Sequence, residues 1–118
     1  MSRRLLRIND LLRKELSDLL ARHVKDPRLG PLLTIIDVET SPDLRHARIF
    51  ISVLGTPEQK DEALSGLRSA TRFLRHELGE RLDLRRVPEL TFLQDDSIER
   101  GARILAMLDH VATDNRSQ

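Results

Sequence analysis

The chain reads as an α+β fold, a three-stranded sheet covered by helices. Three observations predict it. Hydrophobic spacing switches from helical to β-branched and alternating and back again twice along the chain, turn residues mark the switches, and 118 residues without repeat or linker suit one domain with one core.

Leu5, Ile8, Leu12, Leu16, Leu19 and Leu20 recur at helical spacing and leave Arg3, Arg7, Lys14 and Arg22 on other faces, so the first element is an amphipathic helix. It ends by Asp26-Pro27-Arg28-Leu29-Gly30-Pro31, where two prolines and a glycine stop a helix. The segment Leu33–Thr40, rich in β-branched residues, is the first strand. After Ser41-Pro42-Asp43-Leu44, the segment from Arg45 to Leu54 alternates with Ala47, Ile49, Ile51 and Val53 on one face. Two strands around a short Pro-Asp turn predict an antiparallel hairpin.

Thr56-Pro57-Glu58-Gln59 supplies a capping hydroxyl, a proline at the first helical position and a glutamine at the third, which together start a helix. Its apolar stripe runs through Ala63, Leu64, Leu67, Ala70, Leu74, Leu78 and Leu82. A straight helix from Pro57 to Leu82 would be about 39 Å long, more than one domain core needs, so a kink is expected near Ser69–Arg72. A third strand, Glu89–Gln94, follows Val87-Pro88. Asp95-Asp96-Ser97 then caps a last helix through Ile98, Ala102, Leu105 and Leu108, and beyond His110 the chain turns polar. The order α-β-β-α-kink-α-β-α is the layout of a type II KH domain, expected to occupy 1–110 with a short polar tail at 111–118.

Composition excludes several functions. There is no Cys, so disulfides, thiolate metal sites and cysteine nucleophiles are ruled out. Arg and Asp residues interrupt the N-terminal apolar positions, which argues against a signal peptide, and no uncharged run approaches the roughly 18 residues of a membrane span. A cytoplasmic location is expected. The net charge is only +1, but residues 1–30 hold eight basic against four acidic residues, and 68–86 hold six Arg against three acidic residues. If the two stretches meet they form a basic face; if not, they are solvated helix surfaces. Arg supplies 17 of the 20 basic residues, and its planar fork suits phosphate.

Catalytic chemistry has little to stand on. His23, His46, His76 and His110 fall in different elements without metal-ligand spacing, and Asp95-Asp96 suits helix capping better than a divalent cation. No Gly-rich phosphate loop is present. No enzyme activity, cofactor, metal or small-molecule substrate is therefore expected. For nucleic acid, Phe50, Phe73 and Phe92 are the only aromatics, and Phe73 and Phe92 read as core, so RNA binding is expected to rest on phosphate contacts and shape. The GxxG loop of a KH domain is missing.

The stretch Phe73-Leu74-Arg75-His76-Glu77-Leu78-Gly79-Glu80-Arg81-Leu82-Asp83-Leu84-Arg85-Arg86-Val87-Pro88-Glu89-Leu90-Thr91-Phe92 resembles the hallmark of the ribosome-binding factor A family. Lys25-Asp26-Pro27-Arg28-Leu29 and Asp95-Asp96-Ser97-Ile98 with Gly101 resemble that family's other signatures, and the likeness runs from Leu5 to Leu108. It implies a bacterial, KH-like, monomeric assembly factor that binds the free 30S subunit and helps 16S ribosomal RNA mature, 5′ end included, without being a nuclease. It also implies a helix–kink–helix carrying Ala-x-Gly in place of the GxxG loop. That motif falls here on Ala70-Thr71-Arg72, where the glycine is replaced. Arg72 either relieves the kink or adds a cation where RNA approaches.

By the same resemblance, the RNA contacts are expected from Arg72, Arg75 and Arg81, with Arg85 and Arg86 before the third strand and Lys25 and Arg28 after the first helix. Against this, Arg75 and Arg81 could instead pair with Glu77, Glu80 or Asp83, and Arg28 could only hold its loop. Pro88-Glu89-Leu90 reads as structural. A protein–protein module docking on a strand edge and a metal-dependent hydrolase built on Asp95 and Asp96 are the rival readings.

Overall fold

The computed structural model describes residues 2–22, 33–84 and 86–116, with backbone alone at 98–100 and 110–116. Six elements follow one another: α1 (Arg3–Arg22), β1 (Leu33–Thr40), β2 (His46–Val53), α2 (Pro57–Leu82), β3 (Glu89–Gln94) and α3 (Ser97–Arg116). The α+β architecture is the predicted one.

β1 and β2 form the expected antiparallel hairpin. The turn is held by side chains: the Ser41 hydroxyl donates to the Asp43 carboxylate at 2.6 Å, and the backbone N–H of Arg45 donates to the same oxygen at 3.1 Å. The pairing register shifts between Ile35 and Asp37. This bulge explains why β1 shows no clean alternation in sequence: one extra residue lets Ile35, Val38 and Thr40 all reach the buried face. β3 lies parallel to β2, which places β2 at the centre of the order β1-β2-β3. A parallel neighbour needs a crossover, and α2 provides it.

α1 and α2 cover one face of the sheet. Leu12, Leu16 and Leu19 of α1 and Ala63, Leu67, Leu74 and Leu78 of α2 are fully buried against Ile49, Ile51 and Phe92. These are the residues of the two apolar stripes that the sequence predicts. Asn9 joins the core as a polar tie, its Oδ1 accepting the Thr40 N–H at 2.9 Å. α2 starts as expected, with Thr56 and Gln59 in a reciprocal capping box.

α2 runs as one helical segment of 26 residues through Ser69–Arg72, the stretch where the kink is expected. Within it the Thr71 hydroxyl donates to the Leu67 carbonyl at 3.1 Å, a back-bond of the kind that bends a helix. The last helix does begin as predicted, with the Ser97 N–H donating to Asp95 Oδ1 at 2.8 Å. It does not join the core. Leu105 and Leu108 are 69% and 60% exposed, and the core is built from α1, α2 and the sheet. The helix also continues past His110 to Arg116, through residues read as a polar tail.

Candidate nucleic-acid interface

The basic stretch 68–86 becomes the second half of α2 and the turn before β3, and the structure sorts its arginines into two kinds. Arg68 and Arg72 project from α2 into solvent and form no ion pair among the described residues. They sit one helical turn apart, so their guanidinium groups share a face. Together with Ser69, Thr71 and Arg75 they line a shallow open groove. The guanidinium groups of Arg68 and Arg72 and the Ser69 hydroxyl suit a phosphate, while the Thr71 hydroxyl is already engaged on the Leu67 carbonyl.

Arg75 and Arg81 have internal work. Half-buried Arg75 donates from Nε to the Pro88 carbonyl at 3.1 Å and from Nη2 to the Val87 carbonyl at 2.9 Å. It thereby fastens the turn before β3 to α2. Gly79 belongs to the same junction, since a Cβ there would come within 3.1 Å of Val87 Cγ2. Arg81 reaches across to α1, donating to Asp18 at 2.7 Å and to Glu15 at 3.0 Å. Those two carboxylates raise its pKa above the ordinary arginine value, Asp18 contributing most. The alternative considered from sequence, pairing with Glu77, Glu80 or Asp83, is replaced by partners more than sixty residues away.

Arg86 is exposed beside this junction. Lys25, Arg28 and Arg85 lie outside the described residues. Of the kink residues, Ala70 and Thr71 are half-buried and Arg72 is exposed, all on an uninterrupted helix. Pro88 is buried, and the Glu89 N–H donates to the Arg45 carbonyl at 2.8 Å, which agrees with a structural role for Pro88-Glu89-Leu90.

Sequence reasoning missed Arg68 and Ser69, although the four-residue spacing from Arg68 to Arg72 was available. It also misplaced one aromatic. Phe92 is core at 2% exposure, as expected, whereas Phe73 is 41% exposed on α2. Among the described residues no group of three or more His, Asp or Glu is placed to hold a metal ion, and no helix is long and apolar enough to cross a membrane.

The family model described as ribosome-binding factor A matches residues 4–108. The chain is 45% identical over 113 residues to the ribosome-binding factor A of Microcystis aeruginosa, spanning 95% of this chain and 88% of that one. It is similar to the crystal structure of ribosome-binding factor A from Thermus thermophilus, with a TM-score of 0.67, 30% identity, and coverage of 76% of this chain and 94% of the other. A Thermus thermophilus ribosome binding factor A model fitted into a cryo-EM map of its 30S complex gives a TM-score of 0.62 at 31% identity, covering 75% and 91%. With the family model matching from Arg4 to Leu108, through α1, the sheet, α2 and the start of α3, this chain belongs to the ribosome-binding factor A family.

Proposed function

We propose that this protein is a bacterial assembly factor that binds the free 30S subunit in the cytoplasm, contacts 16S ribosomal RNA, and assists its maturation, 5′-end processing included, without catalysing a reaction. It acts as a monomer built on a type II KH-like domain over 1–110, with 111–118 as a short polar C-terminal segment into which α3 continues as far as Arg116. Family membership supports the ribosomal role, and the fitting of a Thermus relative into a map of a 30S complex supports the small subunit as partner.

The observation that carries the RNA reading is the pair Arg68 and Arg72. Two guanidinium groups on one exposed helix face, with no carboxylate among the described residues taking either, leave their charge for an external polyanion. Arg86, exposed at the turn before β3, is a further candidate, and Lys25, Arg28 and Arg85 remain candidates by resemblance. Arg75 and Arg81 hold the scaffold that presents them.

Co-sedimentation with purified 30S, 50S and 70S particles across a salt series tests this. Binding to free 30S should fall with log salt by about −0.7 per single-strand phosphate contacted, or −0.9 for duplex. Arg68→Ala and Arg72→Ala should each weaken it and flatten the slope. Salt-insensitive pelleting, or binding that survives nuclease treatment, would assign the contact to ribosomal proteins instead.

A further inference from the structure

We propose that the exposed face of α2 around Arg72 receives single-stranded RNA and that Phe73, at the edge of that face, is the platform on which one unpaired base stacks. The inference rests on the RNA-binding function proposed above and names the form of RNA taken and a residue that selects it.

The three aromatic residues have different surroundings. Phe92 is core, and half-buried Phe50 has the Arg48 guanidinium over its ring, 5.7 Å from the centroid. Phe73 alone keeps a large part of its ring open, at 41% exposure. It is the direct neighbour of Arg72, and it stands four residues after Ser69 and three before exposed His76, which puts Ser69, Phe73 and His76 on adjoining strips of α2. An apolar ring on a helix surface does not point to RNA by itself. Its setting does: the cation Arg72 and the hydroxyl of Ser69 lie within about 6 Å of rise along α2, and Arg68 within about 7.5 Å, comparable with the reach from a nucleotide's base to its own phosphate. A protein partner would have to bring carboxylates to neutralise that rim, whereas a nucleotide brings the anion and the flat apolar face together.

The geometry also selects the form of RNA. Inside a duplex both faces of a base are covered by its neighbours, and a ring on a convex helix cannot reach between them. An unpaired base in a loop, bulge or end offers an open face. Single-strand binders combine a positive groove with aromatic stacking, and loss of one such ring weakens binding by roughly 5- to 100-fold. Phe73 would add that increment to a phosphate-led contact.

The test uses the full chain, a fluorescein-labelled mixed-sequence single-stranded RNA, the same sequence as a duplex, and purified 30S subunits. Phe73→Ala and Phe73→Leu should weaken single-strand binding by roughly 5- to 100-fold, leave its salt slope unchanged, and leave duplex binding within about twofold. Leu keeps the bulk of the side chain, so its failure to rescue separates stacking from packing, and circular dichroism melts confirm that both variants fold. Phe73→Trp provides an independent readout: the chain has no Trp of its own, so emission from position 73 should be quenched on adding single-stranded RNA. Wild-type affinity in both Ala and Leu variants, or unchanged Trp emission at saturating RNA, would overturn the stacking role while the RNA function stands. Variants that lose 30S binding but keep single-strand affinity would make Phe73 a contact to a ribosomal protein, and that too overturns it. Wild-type protein that binds neither RNA nor 30S would overturn the functional proposal and this inference with it.

Discussion

The Nε of Arg75 lies 3.1 Å from the carbonyl oxygen of Pro88, and its Nη2 reaches the preceding carbonyl, that of Val87, at 2.9 Å. A single guanidinium thus ties the middle of α2 to the turn that feeds β3. Arg72, three residues earlier on the same helix, forms no such bond and faces solvent.

The two arginines should therefore fail in different ways. Arg75→Ala leaves two part-buried carbonyls without their charged donor and should cost about 1.5–3 kcal/mol of stability, read as a lower urea midpoint. Arg72→Ala should leave that midpoint within about 0.5 kcal/mol and lower only 30S affinity. Equal destabilisation by both would contradict the division of roles.

Arg81 joins the helices that cover the sheet through Glu15 and Asp18 of α1. Arg81→Ala should lower the melting temperature modestly at low salt, and the deficit should shrink near 1 M salt, where the screening length falls to about 3 Å. A salt-independent deficit would mean that the side chain acts through packing of its aliphatic stem instead.

Acid should loosen the hairpin turn. The Ser41 hydroxyl, followed by the Arg45 N–H, holds the Asp43 carboxyl below its ordinary value. A carboxyl depressed in the folded state stabilises the fold fully above the unfolded value of about 3.9, and that contribution is lost as pH falls through the lower folded value. Asp43→Asn should therefore be less stable than wild type at neutral pH, and the gap in urea midpoint should close as the wild-type carboxyl protonates. Arg13 and then Lys14 depress Asp10 in the same direction, so some acid sensitivity should remain in the Asp43 variant. A gap that persists in acid would show that Asp43 acts through shape rather than charge.

Asp83 ends α2 in the left-handed conformation, with φ 50° and ψ 44°. Glycine adopts this geometry without strain, and a carboxylate at a helix C-terminus opposes the dipole. Asp83→Gly should therefore stabilise the protein by about 0.5–1 kcal/mol, measured by thermal melting. Destabilisation would point to a role for the Asp83 side chain that the cap geometry does not show.

Much of this protein was determined by its sequence alone, because the signals are local. The strand segment Leu33–Thr40, the Thr56–Gln59 capping box, the leucine stripes of α1 and α2, the Asp95 cap of α3 and the hallmark stretch Phe73–Phe92 all depend on residues near one another in the chain. Periodicity and capping chemistry report such features directly. Only the tertiary structure decided which arginines were free. The carbonyls that engage Arg75 are 12 and 13 residues away, and the carboxylates that engage Arg81 are 63 and 66 residues away, beyond the reach of any pattern along one helix. Tertiary packing also left α3 off the core and set Phe73 at the margin of the buried face. Burial follows from what lies opposite a side chain, and that is a property of the assembled sheet and helices.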